Sequence, residues 1–162
     1  MRSRRRMQGP GPVNIGGTGR VRKPAVRKHG MSVRKKRMTQ KQMTGKEGED
    51  MALEYLLQRG YRLLERNWRC GHKEIDLILE HADGLHIVEV KTRREPVAEE
   101  PHIAVDAVKQ HHLEAAAASY MKLCGYGGNL HFDIMSIVLD RDGAPTRMIF
   151  MKDAFYPLKA WT

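Results

Sequence analysis

The chain has 162 residues, with 29 Lys+Arg against 19 Asp+Glu and a formal net charge of +10. That length suits one domain with a tail, and a 41% hydrophobic content excludes a wholly disordered chain. No apolar run reaches the roughly 18 residues that a membrane helix needs, and no apolar segment near the N-terminus has the form of a secretion signal. Only two cysteines occur, Cys70 and Cys124, far apart and outside any CxxC pair. A disulfide framework or zinc finger is therefore not expected, and the composition points to a cytoplasmic protein in a reducing compartment.

The charge is concentrated at one end. Residues 1–45 hold 14 of the 29 basic side chains and no acid, whereas the rest holds 15 basic and 19 acidic ones. This first stretch carries Arg4-Arg5-Arg6 and Arg34-Lys35-Lys36-Arg37, broken by Gly9-Pro10-Gly11-Pro12 and Gly16-Gly17. With few large apolar residues and no steady period, it cannot offset its ordering entropy, so residues 1–43 read as a flexible basic arm before a domain at 44–162. An arm of this kind suits phosphate neutralisation, with Arg34, Lys35, Lys36 and Arg37 as candidate nucleic-acid contacts. An organelle transit segment, a solubilising tail, or a true start at Met31, Met38 or Met43 are the competing readings.

Beyond the arm, Thr44-Gly45-Lys46-Glu47 has the form of a capping box, which predicts a helix over about 46–59 ending at Gly60. Strands are predicted at 61–69, 74–80 and 85–91, the last two joined by the turn Ala82-Asp83-Gly84 into a hairpin. A second helix is expected from Pro101 to about Cys124, with an apolar stripe of Val105, Val108, Ala116, Tyr120 and Leu123 and with His112 on the same side. Strands at 130–139 and 147–151 flank the turn Arg141-Asp142-Gly143. The order αβββαββ gives an α/β sandwich with a mixed sheet rather than a doubly wound one.

Strand alternation puts Glu89 and Lys91 on one face of the third strand, and the hairpin sets Asp76 of the second strand beside them. Two carboxylates and a lysine on interior strands carry a desolvation cost that asks for a partner. Metal-assisted phosphodiester hydrolysis needs such a set. Asp76 and Glu89 are hard oxygen ligands for Mg²⁺ or Mn²⁺. Lys91 would orient or help deprotonate the attacking water and contact the phosphate, and Glu49 of the first helix would complete the metal sphere. The bland reading, in which Glu89 and Lys91 form a same-face ion pair worth about 0.2–1 kcal/mol, stays open on spacing alone. Elsewhere, His111-His112 lacks the i, i+4 spacing of a helical ligand pair. Trp68 reads as packing, Cys70 as inert, and Gly125–Gly128 as having no phosphate-binding lysine.

The wider run Gly45-x-x-Gly48-Glu49-x-x-Ala52-x-x-Tyr55-Leu56, Gly60-Tyr61, Arg66-Asn67, Glu74-Ile75-Asp76-Leu77-Ile78 and Val88-Glu89-Val90-Lys91-Thr92-Arg93 resembles the YraN family. Ala107, Lys109, Phe132-Asp133 and Asp153-Ala154-Phe155 extend the likeness over roughly 44–156. That family of small bacterial proteins is similar to Holliday-junction resolvases and restriction endonucleases of the PD-(D/E)XK type. The resemblance implies a restriction-endonuclease-like αβββαβ core and a nuclease-like site at Glu49, Asp76, Glu89 and Lys91, with Arg93 toward the nucleic acid. It allows for a homodimer. Two positions depart from the family pattern: Lys73 stands where a glycine is usual, and His131 where an arginine is usual, which weakens a phosphate contact there. Fold is not function, so two readings follow: a Mg²⁺- or Mn²⁺-dependent endonuclease acting on DNA, on branched or single-stranded structures, or a non-catalytic nucleic-acid-binding or scaffolding protein on the same fold.

Overall fold

The computed structural model describes residues 39–97 and 105–157. They form α1 (Gln40–Leu57), β1 (Arg62–Cys70), β2 (Lys73–His81), β3 (Gly84–Arg94), α2 (Ala107–Cys124), β4 (Leu130–Leu139) and β5 (Pro145–Phe155). One five-stranded sheet has the order β1-β2-β3-β4-β5, antiparallel throughout except for the parallel β3–β4 pair. The αβββαββ order and the mixed sheet are those expected from the sequence. Arg34, Lys35, Lys36 and Arg37 lie outside the described residues.

The helices cover opposite faces, α1 over β3 and α2 over β2. On the α1 side Ala52 and Leu56 pack with Leu77, Leu79, Val88, Met135 and Ile137. On the α2 side Leu113, Ala116, Ala117 and Tyr120 pack with Ile78, Ile87, Phe132 and Ile134. β4, covered on both faces, is buried from Phe132 to Leu139, apolar except for Asp133 and Ser136.

Both helices differ from expectation at their starts. α1 begins at Gln40, and its capping box is Thr39 with Gln42: the Gln42 N–H donates to Thr39 Oγ1 (3.3 Å) and the Thr39 N–H to Gln42 Oε1 (2.9 Å). Thr44 and Glu47, the predicted box, lie inside the helix and receive Arg94 of β3 instead, at 3.1 and 2.7 Å. Thr39-x-x-Gln42 fits the same capping pattern, and Gln, Lys and Met are good helix formers, so the earlier start wins. α2 starts at Ala107, with Asp106 accepting from the Lys109 N–H at 2.8 Å, and it ends at left-handed Gly125. Its predicted stripe holds at Val105, Ala116 and Tyr120, which are buried, but not at its other two positions. Val108 and Leu123 are 66% and 64% exposed, and the buried row runs through Leu113, Ala116, Ala117 and Tyr120. In an alanine-rich helix the small residues, and not the larger ones at its ends, permit close approach to the sheet.

Candidate active site

The register of the β2–β3 hairpin creates the site. Backbone pairing runs from His81–Gly84 to Leu77–Val88 and stops there. The next two residues outward are Asp76 and Glu89. The Asp76 carboxylate takes over as acceptor, receiving the Val90 N–H at 2.8 Å. The strands thus part at the two acids, while β1–β2 pairing continues to Cys70–Lys73 and β3–β4 pairing to Arg94–Leu139. At the same level Ile75 packs with the α2 cluster but Leu77 with the α1 cluster, so alternation in β2 slips at Asp76. Asn67, across on β1, has a left-handed backbone with φ 50°, which twists the edge of the sheet at this point.

Glu89 faces α2, its side chain 12% exposed, with Lys109 Nζ 2.9 Å from its Oε2. Burial pushes the Asp76 carboxyl up from 3.8 to about 7, and the neighbouring Glu89 charge pushes the same way. The Val90 N–H and the Lys109 charge oppose that rise, and Glu49 adds to it. Glu49 of α1 therefore bears electrostatically on Asp76, though less than burial and Glu89 do. It is held in place from β1: Asn67 Nδ2 donates to its Oε2 at 2.9 Å and Arg66 at 3.2 Å. Arg66 also reaches Asp50, one residue along α1.

α1 comes this close because residue 48 is glycine. A Cβ there would lie 1.7 Å from Thr92 Oγ1 and 2.8 Å from Thr92 Cβ on β3. Gly45, by contrast, has open space at its Cβ position and borders two neighbouring clefts. One is lined by Gln42, Lys46, Glu49, Arg66, Asn67 and Arg69. Half-buried Lys91 and exposed Arg93 line the other, with Lys41, Thr44 and Arg94.

Asp76 is thus coupled electrostatically to Glu89 and, more weakly, to Glu49, whereas Lys91, two residues along β3 from Glu89, lines the cleft beside α1 with Lys41 and Thr44. Sequence reasoning assigned no role to Lys109 or to Arg66 and Asn67. The Arg66-Asn67 pair was visible only as part of the family run, and Lys109 only as a helix residue, since its partner Glu89 is 20 positions away on another element.

The donor set suits a hard cation. Two carboxylates press against each other in a partly dry notch, and a Mg²⁺-like ion relieves that repulsion where a single ammonium does so incompletely.

The model of Uncharacterised protein family UPF0102 matches residues 48–137. A UPF0102 protein of Syntrophus aciditrophicus is 41% identical over 122 residues, 74% of this chain and 93% of that protein. Relatives described in the same way from Bacteroides thetaiotaomicron and Porphyromonas gingivalis are 40% and 36% identical, covering 70% and 68% of this chain and 92% and 82% of theirs. Among solved structures, Pyrococcus furiosus SfsA in complex with Ca²⁺ aligns at TM-score 0.33 and 16% identity, over 69% of this chain and 63% of that one, too distant to bear on the site. The family match spans every residue from Glu49 to Lys109 placed at the notch, and the chain belongs to the UPF0102 family, the YraN family that its motifs resemble.

Proposed function

We propose that this protein is a divalent-metal-dependent nuclease that hydrolyses phosphodiester bonds in DNA, with branched or single-stranded structures as its targets. The observation that carries the reading is the Asp76–Glu89 pair: two carboxylates set where β2 and β3 part, with Asp76 held near neutrality by burial and by its neighbour. Structural strands seldom keep such a pair, and cation-binding sites need one.

Asp76 and Glu89 would hold Mg²⁺ or Mn²⁺, and such an ion polarises a phosphate oxygen and lowers the pKa of bound water. Glu49, fixed by Arg66 and Asn67, would complete the acidic wall on the α1 side. Lys91 would place its ammonium beside the scissile phosphate, orienting the attacking water and offsetting charge that develops in the transition state. Lys41, Lys46, Arg69 and Arg93 surround the two clefts and suit a phosphate backbone laid across them. Arg34, Lys35, Lys36 and Arg37 would extend that track.

One observation favours the second reading, a nucleic-acid-binding protein without turnover. Lys109 already lies 2.9 Å from Glu89, so the notch holds a compensating cation of its own. The deciding assay offers labelled duplex, single-stranded, flap and four-way-junction DNA with Mg²⁺, Mn²⁺ or EDTA, to the wild type, Asp76→Asn and Lys91→Ala. Metal-dependent cutting that falls at least about 100-fold in both variants is expected. Binding without cutting, equal in all three proteins, would establish the non-catalytic reading instead.

A further inference from the structure

The opposite end of the same hairpin carries a second polar cluster, five residues along β2 from Asp76 and so roughly 17 Å away. His86 on β3 is fully buried, with Nδ1 2.7 Å from Asp133 Oδ2 of β4 and Nε2 3.0 Å from Asp83 Oδ1 of the turn. His81, the last residue of β2, points Nδ1 at the same Asp83 oxygen, at 2.7 Å. Asp133 is buried too, its other oxygen accepting the Asp153 N–H at 2.9 Å. Rings lock the imidazoles in place: Tyr61 stacks on His81 at 4.5 Å and His131 on His86 at 4.4 Å. Lys152 holds the remaining oxygen of Asp83.

Proton bookkeeping makes this cluster unusual. A neutral imidazole has one N–H, yet both nitrogens of His86 face carboxylate oxygens, and His81 shares one of them. With Nδ1 set against Asp133, Nε2 is the nitrogen of His86 that faces Asp83, and it can ligate a metal once it carries no proton. A buried carboxylate orienting the far nitrogen of a histidine is the arrangement that supports metal-ligating histidines. Donor atoms of His81, Asp83 and His86 all lie within 4.8 Å of one another. Ligands at the vertices of a tetrahedron about Zn²⁺, with bonds of about 2.0–2.1 Å, are roughly 3.3 Å apart. The two His–Asp separations, 2.7 and 3.0 Å, would open by about 0.6 and 0.3 Å, and the separation between the two imidazole donors, within 4.8 Å, would close by up to about 1.5 Å.

We infer that His81, Asp83 and His86 form a binding site for a divalent transition-metal ion of the Zn²⁺ type, separate from the acidic notch, that clamps the β2–β3 turn. Two imidazoles select Zn²⁺, Co²⁺ or Ni²⁺ over Mg²⁺. His81 and Asp83 are about one-third exposed, at 31% and 34% of their side chains, so an ion can enter from solvent and keep water as its fourth ligand. On binding, any proton between Nε2 of His86 and Asp83 leaves to solvent, and the nitrogen lone pair bonds the metal.

The test titrates Zn²⁺ and Co²⁺ into the metal-stripped full chain with Mg²⁺ in excess. Stoichiometry is read by chelator competition, and ligation by cobalt visible absorption. One equivalent should bind, with cobalt bands typical of four-coordination. His81→Ala, at a partly exposed position, should weaken binding at least about 100-fold, and Asp133→Asn about 10–100-fold. Asp76→Asn should leave it within about two-fold, because that acid serves only the notch; unchanged circular dichroism controls for folding. Binding that survives His81→Ala but is lost in Asp76→Asn, or no binding at one equivalent, would overturn the inference. Neither result touches the nuclease reading, which DNA cleavage tests on its own.

Discussion

Replacing Asp76 by Asn should make the metal-free protein more stable at neutral pH. Burial, with Glu89 adding to it, raises the folded-state value of Asp76 from 3.8 to about 7. The folded state therefore holds this proton more tightly than the unfolded one does. Wild-type stability is highest, as far as Asp76 is concerned, below about pH 4, is lost as pH rises between about 4 and 7, and is level above that. About three units at about 1.4 kcal/mol each give a penalty of up to about 4 kcal/mol at pH 8. Asparagine keeps an oxygen to accept the Val90 N–H and has no charge to oppose Glu89. Urea unfolding at pH 4, 5, 6, 7 and 8 in EDTA, for wild type and Asp76→Asn, measures the difference directly. It should grow by several kcal/mol across that range. It should then shrink when Mg²⁺ is added at pH 8, because only the ionised wild type gains from the metal. A difference that stays flat from pH 4 to 8 would refute the claim that the two acids are held together at a cost.

Gly48→Ala forces α1 off β3, since the new Cβ would sit 1.7 Å from Thr92 Oγ1; chemical denaturation should show a loss of about 1–3 kcal/mol, recovered in part by Thr92→Ala in a double-mutant cycle. Gly45→Ala meets nothing within 4 Å and removes a mid-helix glycine, so the same assay should show a gain of about 0.5–1 kcal/mol. Lys109→Met leaves Glu89 without its ammonium and removes a charge that holds Asp76 down; calorimetric titration should show tighter Mg²⁺ binding at pH 8, while the metal-free protein becomes less stable. Asp133→Asn takes a buried carboxylate from His86, which keeps only Asp83, and thermal unfolding should report a destabilisation of about 3–5 kcal/mol.

The hairpin was the most legible part of the chain because two local signals agree on it: alternation in 74–80 and 85–91, and a turn that Gly84 permits at φ 153°. Asp76 and Glu89 follow from that register with no tertiary information. Helix starts were less legible. Thr39 and Thr44 each begin a four-residue capping pattern, and what separates them is Arg94, 50 positions from Thr44, which claims both Thr44 and Glu47. The buried face of α2 was legible in part: Val105, Ala116 and Tyr120 are buried as the stripe predicts, but Val108 and Leu123 are exposed, and Leu113 and Ala117 take their place against the sheet. The histidine cluster could not be read at all. It joins His81, His86, His131 and Asp133 from three strands, and such a set is assembled by sheet order alone.

The two ends of the hairpin solve one electrostatic problem in opposite ways. At the turn, the charges of Asp83 and Asp133 are met by His81, His86, Lys152 and a backbone N–H, and Asp83 is held well below the ordinary carboxylate range because those three side-chain bonds outweigh its burial. At the parting of β2 and β3, Asp76 has one backbone donor and the distant part of an ammonium shared with Glu89, and its carboxyl goes up instead. Strand pairing would have satisfied the Val90 N–H with a neutral carbonyl had the ladder continued for two more residues, to Ile75 and Val90. The chain interrupts the ladder and puts a carboxylate there, and it uses Gly48 to bring a third acid, Glu49, against the same spot. A fold selected only for stability gains nothing from that arrangement, whereas a cation bound as proposed would gain from each of the three acids.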